Sequence, residues 1–189
     1  MNLTGLTLPE VAAIVYQRLR EVGVESVVVG GSSVTIHVPA VYTSADIDLA
    51  LISGFNRLKV ARGLGEIGFH ESGRDFVHPE TPYTIDLVAE TPYVDQRPIR
   101  EFCTVKTTTG LVRTYCIEDA IADRIAAWVH WSDSESLDVA ERAVAASREA
   151  IRAERLTFAL NALETGDRRG TERLELARSR LSKIVGSVS

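Results

Sequence analysis

Asp46 and Asp48 sit one residue apart inside the apolar run SADIDLAL. On a strand, residues at i and i+2 project from one face, while Ile47 and Leu49 enter the other. Two ionised carboxylates this close repel strongly wherever water is scarce, so a fold that keeps both usually supplies a cation. Oxygen-only ligands without a neighbouring histidine or thiolate favour Mg2+ or Mn2+ over zinc. The competing explanation is structural: a D-x-D pair at a solvated strand end caps amides or meets a lysine.

Gly30-Gly31-Ser32-Ser33 follows the apolar run Ser26 to Val29. A glycine pair after a buried strand permits a tight turn and close approach of a ligand to the backbone. Serine then offers a hydroxyl and opens a helix whose free amides attract phosphate. An ordinary turn is the alternative.

The elements that must position these residues are readable along the chain. Thr7-Leu8-Pro9-Glu10 forms a capping-box pattern. The helix after it carries Val11, Ile14, Val15, Leu19 and Val22 at helical spacing and stops at Gly23. The unalternating run Ser26 to Val29 suits a strand covered on both faces. A second strand is predicted over 46–52 and a helix over 57–67. A hairpin of 69–78 with 83–89 is predicted across HPETP, and another of 101–106 with 111–115 around Thr109-Gly110. Beyond Ile117 the pattern is helical, at 118–131, 137–150, 154–164 and 168–184. The fold class is therefore α+β, a sheet-containing core over 1–116 followed by a C-terminal helical region over 117–189 packed on it.

Composition narrows the functions available. The 189 residues are 45% hydrophobic and 25% charged with a net charge of −5, a globular profile that excludes a broad nucleic-acid-binding basic surface. Cys103 and Cys116 are too few for a zinc knuckle or a disulfide framework and read as separate buried thiols of a reducing compartment. No window approaches a membrane span and the amino terminus lacks signal-peptide character, so a cytoplasmic location is expected.

Taken together, the apolar strand, GGSS, the spacer and TSADIDL resemble the signature of the nucleotidyltransferase-fold superfamily, most closely small prokaryotic members such as toxin-system nucleotidyltransferases of the AbiEii type. The likeness covers roughly 27–131. It implies a nucleotidyltransferase-like mixed sheet flanked by helices, a nucleoside triphosphate substrate, and Mg2+ or Mn2+ held by Asp46, Asp48 and a third carboxylate from a later strand. YTIDLVAE supplies that third acid as Asp86. Gly30, Gly31, Ser32 and Ser33 would bind the nucleotide, with Arg124 taking the place of the lysine more usual on the helix after the sheet. An ion pair between Arg124 and its neighbours is the competing role. Asp119 and Asp123, like charges at i and i+4, are expected in solvent.

One feature departs from the pattern: many relatives carry an arginine shortly before D-x-D, whereas VTIHVPAVYTSA offers only His37 and Tyr42. The missing charge must come from elsewhere, with Arg57, Lys59, Lys106 and Arg124 as candidates; His37 is expected to pack rather than catalyse. The expected activity is transfer of a nucleoside monophosphate to a tRNA or other RNA 3′ end, a protein hydroxyl or a small molecule. The alternative is an inactive partner subunit of a toxin-antitoxin-like system. A metal-dependent nuclease is disfavoured because neither DIDLAL nor TIDLVAE has a lysine two residues after the acid. Trp128, Trp131 and Leu137 are expected to cover the core, and the arginines of DRRGTERLELARSRLSK to form a solvated face rather than a tRNA-binding surface.

Overall fold

In the computed structural model, which describes residues 1–52, 54 and 56–186, helix α1 runs Leu8–Glu21. The Glu10 carboxylate accepts a hydrogen bond from the Thr7 amide at 2.7 Å, so the capping residues act as expected. Gly23 follows at φ +70°, a left-handed conformation suited to glycine. Strand β1 (Ser26–Val28) is wholly buried. It leads into helix α2 (Gly30–His37), so the first four residues of the expected spacer are helical and GGSS is the helix's first turn.

Then come strand β2 (Asp46–Leu51) and helix α3 (Arg57–Gly65), whose Asn56 cap accepts from the Lys59 amide. The run 69–78 is not one strand. It divides into β3 (His70–Ser72) and β4 (Asp75–Val77), because Gly73 at φ +66° turns the chain back. Strand β5 (Thr84–Ala89) pairs with β4 as the expected hairpin. A short hairpin of β6 (Tyr93–Val94) and β7 (Arg97–Pro98) was not legible as strand. Strands β8 (Cys103–Lys106) and β9 (Leu111–Thr114) form the second hairpin.

The main sheet has the order β3-β4-β5-β2-β1-β9-β8. It is mixed: β2 with β5 and β1 with β9 are parallel, the other pairs antiparallel. On one face α1 and α3 pack on Val28, Ile47, Leu49, Leu51 and Ile85. Each such side chain contributes about 1.5–3 kcal/mol by burial. A one-residue slip of β2 would push Asp46 and Asp48 into that core in their place. Burial of Ile47, Leu49 and Leu51 therefore fixes the side on which the carboxylates emerge.

The other face is covered by α2 and by α4 (Ile117–Trp131), with α5 (Ser134–Ala146), α6 (Ala153–Asn161) and α7 (Arg168–Gly186) outside. One core runs from Val27 and Ala50 through Ile121 and Ile125 to Leu174 and Leu181. Trp128 is half-buried and Leu137 buried in it, but Trp131 is 77% exposed and covers nothing. The α7 arginines do more than face water: Arg173 donates to the Val129 carbonyl at 2.7 Å and lies over Trp128, and Arg178 donates to the Leu160 carbonyl at 2.9 Å.

Cys103 and Cys116 are joined as a disulfide rather than standing as separate thiols. The β8–β9 register sets Cys103 opposite Thr114, two residues before Cys116, and brings the two Cα atoms to 4.9 Å. The cysteines thus no longer point to a reducing compartment. Among the described residues no helix is long and apolar enough to cross a membrane.

Candidate active site

Strands β2 and β5 lie side by side, in parallel, with Asp46 opposite Thr84 and Asp48 opposite Asp86. In-register residues of neighbouring strands share a face, so Asp46, Asp48 and Asp86 all leave the sheet on the side away from α1 and α3. All three are only partly buried, so the face is open there.

Helix α2 brings the glycines to this row. A Cβ on Gly30, whose φ is +61°, would collide with the Asp48 carboxylate. A Cβ on Gly31 would lie 3.3 Å from the Tyr42 ring and 3.4 Å from Arg124 Nη1. The pair therefore allows close approach between the helix start, Asp48, Tyr42 and Arg124.

Ser32 and Ser33 turn inward and are fully buried. The Ser32 hydroxyl donates to the Val29 carbonyl at 2.8 Å and accepts from the Asp48 amide at 3.1 Å. Ser33 Oγ accepts from Thr114 Oγ1 at 2.9 Å. These hydroxyls brace α2 against β2 and β9. Asp46 Oδ1 accepts from Ser44 Oγ at 2.8 Å.

Burial pushes the Asp48 carboxyl up to about 7, and Asp46, Asp86 and Asp123 add to the shift against the opposing charge of Arg124. The cluster thus carries more negative charge than its surroundings neutralise. Burial works against the charge of Arg124, but Asp123, ion-paired with it at 2.6 Å, and Asp48 hold its pKa above the usual arginine value. Arg124 Nε is buried and has no hydrogen-bond partner among the described residues.

Of the four candidate cations, only Arg124 reaches the glycines. Arg57 pairs with Glu71 at 2.8 Å, and Lys59 donates to the Gly23 carbonyl. Lys106 is on β8, three strands from β2. His37 packs as expected, its Nε2 2.7 Å from the Tyr115 carbonyl oxygen. The sequence reading missed Arg74, which meets Asp86 Oδ2 at 3.0 Å from the β3–β4 turn. The Ser72-Gly73 dipeptide was the signal that marks this turn. Asp119 is not in solvent: it is buried against Arg97 at 2.5 Å and Arg155 at 2.9 Å.

The donor set of three carboxylates suits a hard cation such as Mg2+ or Mn2+ in chemistry and charge. Among the described residues, though, no three His, Cys, Asp or Glu side chains are gathered as a ready cage. Asp86 is turned toward Arg74. Asp46 and Asp48 could hold such an ion, with Asp86 joining once it leaves Arg74.

No protein-family model and no curated protein matches the sequence. Solved structures do. An antigenic nucleotidyltransferase-like protein from Paracoccidioides brasiliensis superposes with a TM-score of 0.53 at 12% identity, over 100% of this chain and 93% of that one. ANT(2'')-Ia in complex with adenylyl-2''-tobramycin gives 0.42 at 14% identity, over 89% and 93%. The solution structure of the antibiotic-resistance factor ANT(2'')-Ia gives 0.41 at 15%, over 93% and 91%. Only the first similarity is close enough to establish a shared architecture, and the fold is nucleotidyltransferase-like.

Proposed function

We propose that this chain is a Mg2+-dependent nucleotidyltransferase that moves a nucleoside monophosphate from a nucleoside triphosphate to an acceptor hydroxyl. The observation that carries this reading is the row Asp46, Asp48 and Asp86 on one face of the β2–β5 pair, under a glycine turn that leaves no room for a Cβ.

In the reaction an acceptor oxygen bonds to the α-phosphorus, the bond to the pyrophosphate oxygen breaks, and the acceptor proton departs. A bound Mg2+ or Mn2+ would neutralise phosphate charge and lower the acceptor's pKa. Asp46 and Asp48 would hold that cation. Asp86, at the open side of the face, orients the acceptor hydroxyl and helps its proton leave. At Gly30 and Gly31 the bare backbone of the α2 start admits the β- and γ-phosphates to its unpaired amides. Arg124 faces the same phosphates with a charge that its environment preserves. Ser32 and Ser33 contribute through the backbone they brace. An RNA 3′ end, a protein hydroxyl and a small molecule all satisfy this chemistry as acceptor.

The Arg74–Asp86 pair favours a second reading, in which the fold serves as an inactive partner subunit of a toxin-antitoxin-like system. Titration calorimetry with a non-hydrolysable triphosphate and Mn2+ separates the two. The transferase binds only with the metal, and incorporates label from an α-labelled triphosphate in an assay that Asp46→Asn or Asp48→Asn abolishes. No binding at millimolar ligand, or full activity in both variants, sinks the transferase.

A further inference from the structure

A cavity of about 490 Å³ lies between the β6–β7 hairpin and the end of α4. We propose that it receives the base of the nucleoside triphosphate, with Trp131 and Tyr93 as its stacking surfaces. The proposal rests on the transferase reading.

Arg124 belongs to both places: it lines this cavity, and its Nη1 lies against Gly31. From Arg124 the cavity follows one face of α4 through Ala127 to Trp131, positions i, i+3 and i+7. Seven residues rise about 10 Å, so a ligand with phosphates at the glycines extends its far end to the tryptophan. Ala126 and Ala127 are buried, and their small side chains leave a flat apolar floor.

The aromatic residues at that end are largely exposed, Trp131 meeting the His130 ring with the centroids 6.0 Å apart. Trp128 packs half-buried against the core, whereas Trp131 is 77% exposed and Tyr93, on the hairpin, 49%. The hairpin wall is held in place, since the Tyr115 hydroxyl donates to the Tyr93 carbonyl at 2.8 Å and Val94 is fully buried.

The lining of the cavity selects the ligand class. Asp95 is engaged by His130 at 3.1 Å and by the Glu164 amide at 2.6 Å, and Asp123 by Arg124. The acids of the cavity thus already have partners of their own within the fold. A planar, uncharged heterocycle with polar edges fits: stacking comes from the two rings, and Gln96 brings an amide that both donates and accepts. A cavity of similar size between α6 and α7, about 480 Å³, is lined by residues such as Leu156, Leu160 and Leu181 and shares none with the carboxylate site.

The test compares ATP with inorganic tripolyphosphate, each titrated calorimetrically with Mn2+ into the full chain. Wild type should bind ATP more tightly than tripolyphosphate. Trp131→Ala should weaken ATP about tenfold, the order of one lost base stack, with tripolyphosphate unchanged and Trp131→Phe largely restored. Trp131 is exposed, so an unchanged melting temperature accompanies this result. Tyr93→Ala provides a second variant, expected to act in the same direction.

Equal affinity of wild type for ATP and tripolyphosphate overturns the base subsite while leaving the transferase reading intact. So does an equal weakening of both ligands, or unchanged ATP affinity in both the Trp131 and Tyr93 variants. Binding of neither ligand by wild type removes the transferase reading itself and this proposal with it.

Discussion

Two acid pairs in this molecule have opposite surroundings. At the start of α4, Glu118 and Asp119 are each only 1% exposed. Arginines from other elements meet both: Arg152 at 3.3 Å and Arg155 at 3.7 Å on Glu118, Arg97 and Arg155 on Asp119. On β2, Asp46 and Asp48 are less buried, but burial and the neighbouring acids push Asp48 toward neutrality, and the nearby Arg124 is bound by Asp123. The first pair is a neutralised joint between α4, α6 and the β6–β7 hairpin. The second is charge short of a cation. Burial by itself does not mark function; charge left unbalanced beside an open face does.

The most severe expected effect separates the pairs by activity. Asp46→Asn or Asp48→Asn should lower turnover at least about 10³-fold, roughly 4 kcal/mol of transition-state stabilisation, in a label-transfer assay with the fold retained. Asp119→Ala should do the reverse. It strands the buried side of Arg97 and Arg155 and should destabilise by about 3–5 kcal/mol in urea unfolding, with turnover per folded molecule preserved.

A smaller effect distinguishes the pairs by pH. The folded-state pKa of Asp48, about 7, lies above its ordinary 3.8. The folded protein therefore holds a proton that the unfolded chain releases. The stability this contributes is full below about pH 4 and is lost as pH rises through 7. Asp48→Asn should accordingly melt higher than wild type at pH 8 in EDTA, by on the order of 2 kcal/mol or a few degrees, with the gap closing toward pH 4. Mn2+ at pH 8 should narrow the gap by stabilising wild type alone.

The mildest perturbation is Arg74→Ala. Its ion pair with Asp86 is made by an arginine 81% exposed, and such pairs are worth about 0.2–1 kcal/mol. Mn2+ affinity, followed by electron paramagnetic resonance, should rise at most about fivefold, with the melting temperature unchanged. A fall in affinity would mean that Arg74 supports the metal site rather than competing with it.

Much of this was legible in the chain. The alternation of Asp46, Ile47, Asp48 and Leu49 told which residues share a face, since side chains along a strand have a period of two wherever the strand lies. The capping residues of α1, the two hairpin partners and the four C-terminal helices followed from local chemistry in the same way. Asp119 was misread because its arginines are supplied by positions 97 and 155, and spacing along α4 reports neither. Arg74 was hidden in a run read as one continuous strand. Cys103 and Cys116 became partners only through the β8–β9 register.

By itself the sequence determined a D-x-D strand, a glycine turn before it, and an α+β order of elements, because each depends on backbone geometry within a few residues. Only the tertiary structure decided that Asp86 stands beside Asp48, that Arg124 reaches Gly31, and that Arg97 and Arg155 neutralise Asp119. Those outcomes are set by which strands pair and which helices cross, and electrostatic balance is a sum over neighbours in space that no stretch of sequence contains.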